Sequence, residues 1–155
     1  MKKWSLRAAL VLLVASSAVV ASASASAART DGSKPIVVTF QKHLVDPANL
    51  VFQGTTGGRV KGDLVSNMLP GSLTIDGAIW HFTFDWIVTA NSKHKSFIAR
   101  TTGDFDTSTG SVVMDGSVIQ GWHLGAPVHE EGLLIDPATF TFAGVIVISP
   151  GDDED

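Results

Sequence analysis

Trp80-His81-Phe82-Thr83-Phe84-Asp85-Trp86-Ile87-Val88-Thr89 is the stretch that decides the fold. Bulky apolar side chains stand at every second position: Trp80, Phe82, Phe84, Trp86 and Val88. The residues between them are mostly polar. Successive side chains of a strand point to opposite faces, so this alternation predicts a β-strand with one buried face. It is the clearest part of a longer extended segment, residues 72–90, in which Asp76-Gly77 marks either a hairpin turn or a bulge.

The same signal recurs on both sides. Residues 36–41, 59–67, 96–102, 111–120 and 139–149 read as strands, rich in β-branched and aromatic side chains. Residues 50–53 read as a short strand broken by Gly54-Thr55-Thr56-Gly57-Gly58, and 133–135 as another short one. Turn signals separate them: Asp46-Pro47-Ala48-Asn49, Pro70-Gly71, Asn91-Ser92-Lys93-His94-Lys95, Asp106-Thr107-Ser108-Thr109-Gly110 and Asp136-Pro137-Ala138. Helix is limited to one short turn near residues 46–50. Short strands with regular turns predict an all-β, antiparallel fold, and about eight of them favour a closed barrel over a sandwich because closure leaves no edge exposed.

The chain ends read differently. Residues 1–7 are basic, 8–23 apolar or small, and Ala25-Ser26-Ala27 fits a cleavage site. This is the pattern of a secretory signal peptide helix over residues 1–27, and it predicts a secreted or periplasmic protein. Residues 28–35 form a polar leader, 36–150 a single barrel domain, and 151–155 an acidic tail. Loss of Lys2, Lys3 and Arg7 with the signal leaves eight basic residues against fifteen acidic ones, a formal net charge of −7. That balance, and the lack of a visible basic patch, argue against nucleic acid or anionic lipid as a partner. After cleavage no membrane association is expected. Without cysteine, an exported domain must be held by its apolar core.

Four glycine-spaced elements carry a resemblance. They are Phe52-x-Gly-x-x-Gly-Gly-x-x-x-Gly62, Ser96-Phe97-x-Ala-x-x-x-Gly103, Thr109-Gly110-x-Val-Val-Met-x-Gly116-x-Val118 and Thr141-Phe142-Ala143-Gly144-x-Ile146-x-Ile148. Together they resemble small bacterial secreted proteins of the allene oxide cyclase-like, dirigent-like barrel group. The resemblance spans most of residues 52–150 and rests on glycine and apolar positions. It implies an eight-stranded antiparallel barrel with a ligand-sized interior, often oligomeric. Plant members isomerise substrates or guide phenolic radical coupling; none of their pocket residues is matched here.

Two places could carry chemistry. Trp80, Phe82, Phe84 and Trp86, with Trp122, are candidates to line an apolar ligand site, against the alternative of a filled core. Residues 121–132 hold His123, His129, Glu130 and Glu131 between two strands. Of these, His123, His129 and Glu131 are the candidate metal ligands, with His129 and Glu131 on one strand face and Glu130 on the other. The spacing matches no known metal motif, and surface polarity around a hairpin is the plainer reading. His81 and Asp85 are too far apart along a strand to touch. Lys93-His94-Lys95 could grip an anion, and an ordinary solvated turn is the plainer reading. No nucleophile elbow or phosphate loop is present.

The expectation is therefore a secreted barrel that binds a small apolar or amphipathic molecule and needs no cofactor. The alternatives are an isomerase or cyclase using the barrel interior, a metal-dependent enzyme, or a structural module acting as a homo-oligomer.

Overall fold

A computed structural model describes residues 34–150. The proposed signal peptide, most of the leader and the acidic tail lie outside the described residues. Nine strands follow one another: β1 (Ile36–Asp46), β2 (Val51–Gly58), β3 (Gly62–Met68), β4 (Thr74–Asp76), β5 (Ile79–Ala90), β6 (Phe97–Asp106), β7 (Ser111–Gly121), β8 (Pro127–Asp136) and β9 (Thr141–Ile148). All pair antiparallel in the order β3-β2-β1-β9-β8-β7-β6-β5-β4, and β3 also pairs with β5. That last ladder runs from Gly62 opposite Ala90 to Met68 opposite Phe84. It closes eight strands into a barrel and leaves β4 as a short flap on β5.

The alternation in β5 does what the sequence predicts. Phe82, Phe84, Trp86, Val88 and Ala90 are buried inside, and the residues between them face outward. The same phase fills the interior from β1 (Ile36, Val38, Phe40), β7 (Val112, Met114, Val118) and β9 (Phe142, Ile146, Ile148). The two segments read as short strands run further than expected. β2 continues through its glycines to Gly58, and β8 extends from Pro127 to Asp136. Asp76-Gly77 is a hairpin turn, with Asp76 opposite Ile79 and Gly77 at φ 57°.

The glycines within β2 explain why they extend the strand instead of breaking it. Gly54 lies opposite Lys42 of β1, and a Cβ on it would overlap the carbonyl oxygen of Gln41. Gly144 approaches Glu131 of β8 in the same way. At these points neighbouring backbones cross too closely for a side chain, as a tightly coiled barrel requires.

Antiparallel alternation gives the barrel two ends. One carries the turns after β1, β6 and β8 together with the β3–β5 connection. The other carries the turns after β2, β5 and β7, and both ends of the described chain. The three turns at the first end share one design. Asp46, Asp106 and Asp136 each accept a backbone hydrogen bond from the residue two further on, at 2.9, 2.8 and 2.9 Å. Side-chain bonds from Asn49, Ser108 and Thr139 hold these carboxyls below their ordinary pKa. Each turn closes on a left-handed residue: Leu50 (φ 49°), Gly110 (φ 76°) and Phe140 (φ 50°). The helical turn expected near residues 46–50 is one of these. The only helical piece among the described residues is the 3-10 turn Lys93–Lys95.

Replacing Gly54 or Gly144 by alanine should lower stability by at least about 1–3 kcal/mol, because the obstruction is backbone. Urea unfolding of each variant checks this; unchanged midpoints would mean the strands separate freely there.

Candidate functional site

The inward phase of β1 does not stop at Phe40. It continues to Lys42, which is 5% exposed. On β8 the inward phase passes from Val128 to Glu130, which is 0% exposed. Two opposite charges thus enter the same apolar interior. Lys42 Nζ donates to Glu130 Oε1 at 3.4 Å and lies 3.6 Å from the Trp86 ring centroid, a cation–π contact. Trp86 is itself wedged edge-on against Phe40, with centroids 5.0 Å apart.

Taking a charge out of water is costly, so burial pushes the Lys42 ammonium down in pKa and the Glu130 carboxyl up. Their mutual attraction opposes both shifts. The contact is nonetheless longer than the ~2.8 Å of a good charge-assisted bond. Glu130 Oε2, Trp86 Nε1 and the hydroxyl of Ser66 are also buried without a hydrogen-bond partner. Ser66 faces Trp86 across the β3–β5 ladder. A buried polar atom left unpaired costs about 1–3 kcal/mol, so this layer of the barrel carries unused capacity to donate and accept.

An aromatic cavity leads from the Asp-turn end to Lys42. Leu50, Phe105, Phe140 and Phe142 line it, with Trp80, Phe82 and Phe84 of the expected set. Its volume is about 30 Å³, close to one water's share of liquid. The rings pack edge to face: Trp80 on Phe105 at 5.9 Å, and Phe140 on Phe142 at 5.2 Å. Trp86 lies beneath Lys42, away from the cavity lining. Trp122 is half-buried at the opposite end of the barrel, where it packs against the edge of the core.

The expected metal ligands are divided between two places. His129 faces outward on β8, where Nδ1 lies 2.7 Å from Asp115 Oδ1 and Nε2 lies 3.2 Å from Glu131 Oε1. His123 sits in the turn after β7 at φ 56°, its ring against Trp122. Among the described residues no group of three or more His, Cys, Asp or Glu side chains is arranged to hold a metal ion. On the outer wall His81 pairs with Asp104, and Arg100 bridges Asp85 through two bonds of 2.7 and 2.8 Å. His81 and Asp85 therefore have separate partners, as their strand spacing requires.

Residue type does not single out Lys42, and it places Glu130 on the strand face opposite His129 and Glu131 without giving it a partner. The signal was available in the phase of the alternation: Lys42 falls on the Ile36-Val38-Phe40 face, and Glu130 on the Val128 face.

Replacing Lys42 alone by methionine should cost about 3–5 kcal/mol, because it strands a buried carboxylate. The double variant Lys42→Met/Glu130→Leu should recover most of that loss, which a urea double-mutant cycle would reveal. Cutting the exposed Arg100–Asp85 bridge should cost no more than about 1 kcal/mol.

The hydrogen bond that the His129 ring donates to Asp115, then the one it donates to Glu131, raises its pKa above 6.5. A raised folded value means the stabilisation is complete below pH 6.5 and is lost as pH rises through the folded value. Stability should therefore fall over that interval in the native chain and much less in His129→Gln. Thermal unfolding across the pH range checks it.

No family model matches the chain, and neither the curated proteins nor the solved structures yield a match.

Proposed function

We propose that the protein binds a small amphipathic molecule inside the barrel, with an aromatic or apolar body near Trp80, Phe105 and Phe140 and a polar head at Lys42. The observation that carries this reading is the unused polar capacity around Lys42 at the inner end of an aromatic cavity. Glu130 Oε2 accepts, Trp86 Nε1 donates and Ser66 does either. A hydroxyl head group has the matching chemistry, a proton to donate and lone pairs to accept with, and Lys42 is the polar side chain of the cavity lining that it would meet first.

The body of such a ligand needs more room than the cavity offers with its rings at rest. Leu50 and Phe140 are the side chains to move. Both are half-buried at the mouth, and both sit in the left-handed region, which costs a non-glycine residue on the order of 1 kcal/mol. Strain held at a cavity entrance supports a role as a displaceable plug. Export by a signal peptide over residues 1–27, and kinship with the allene oxide cyclase-like barrels, belong to the same proposal.

A second reading is favoured by the same pair. Burial brings the proton affinities of Lys42 and Glu130 towards each other, which suits proton transfer to and from a bound substrate in an isomerase or cyclase.

Titration with 2-naphthol, an aromatic body carrying one hydroxyl, tests the binding. The native chain should bind it, and Phe140→Gly should bind it about tenfold faster by removing plug and strain together. Circular dichroism verifies that the variant keeps the barrel. Failure of both proteins to bind would remove the proposal.

A further inference from the structure

The charges of the described chain are sorted by end. Lys42 is paired inside the barrel and Arg100 on its wall. The other five cations, Lys34, Arg59, Lys61, Lys93 and Lys95, all lie at the end opposite the Asp turns, in the turns after β2 and β5 and just before β1. None of the five has a carboxylate partner within ion-pair distance among the described residues. The sequence shows no basic patch because these residues come from three separate segments, which only barrel closure brings to one rim.

Between them lies a depression of about 480 Å³, lined by Lys34, Arg59, Lys95, Trp122, His123 and Pro150 with Ile36 beneath. Lys95 Nζ stands 5.6 Å from the centroid of the half-buried Trp122 ring. Three cations and an indole face thus border one concavity. It is large enough for a small organic molecule, and it sits on a chain whose charge is otherwise acidic.

We infer that this end of the barrel is a binding site for a small organic polyanion, one carrying two or more carboxylate or phosphate groups on a flat body that lies against Trp122. The anionic groups meet Lys34, Arg59 and Lys95, and the indole face supplies apolar contact. The site is separate from the barrel interior, and its ligand differs in chemistry from one received at Lys42. The acidic stretch Asp152-Asp153-Glu154-Asp155, one residue beyond Pro150, is the rival occupant.

Calorimetry with benzene-1,3,5-tricarboxylate tests the assignment on the full chain. Binding is expected, weakened about tenfold or more in Arg59→Ala/Lys95→Ala. The control Lys61→Ala/Lys93→Ala removes the same charge from the same end but outside the lining, and should change affinity by no more than about twofold. Trp122→Leu should also weaken binding, which a purely electrostatic site would not show. Three results overturn the inference: absence of binding, equal losses in the two double variants, or binding that appears only when the chain ends at Pro150. The last would make the acidic tail the occupant.

Discussion

The ladder between β3 and β5 is the constraint on which everything else depends. Without it the nine strands are a curled sheet with two exposed edges, and each edge presents unpaired backbone groups to any passing chain. With it, inward side chains from every wall face one another. Only then do Lys42 and Glu130, 88 residues apart in sequence, share an interior. Only then do three separated segments place their cations around one rim. Closure converts a one-dimensional alternation into a molecule with an inside and two unlike ends.

The inside is unusual in chemistry rather than in volume. A barrel of this size can be filled by its own side chains, and aromatic rings nearly do so here. Yet evolution of a filled core gains nothing from a buried ion pair, since well-packed apolar residues of the same volume are often as stable or more so. Lys42 and Glu130 thus cost stability relative to that alternative. Their contact is long at 3.4 Å and leaves one carboxylate oxygen without a hydrogen-bond partner.

Much of the fold was legible because strand periodicity is strict. Trp80 to Val88 announced both a strand and its buried face, and Asp-Pro and Asp-to-Gly signals located the turns. The failures have physical causes. Gly54, Gly57 and Gly58 suggest a break because glycine weakens an isolated strand, whereas the coiled wall needs Gly54 for close backbone approach, Gly57 to clear the Thr39 side chain and Gly58 for its positive φ. The site was less legible. Residue types drew attention to His123, His129 and Glu131, which barrel geometry distributes between a turn and the outer wall. Lys42 is hidden by identity and visible only by phase, and the inward face of Glu130 is legible but its partner is not. Trp122 stands at a rim that no linear reading could assemble.

The adjacency of β1 and β9 has a consequence for how the protein comes into being. Ile36 pairs with Ile148, and the ladder continues to His43 opposite Thr141. The first strand made therefore waits for the last. A chain emerging in order can form its hairpins one by one, but it cannot seal the wall until β9 is present. Contacts so distant in sequence make folding slow, and until that seam forms β1 has one edge open. The native barrel is thus a property of the whole span from β1 to β9, reached in a late step.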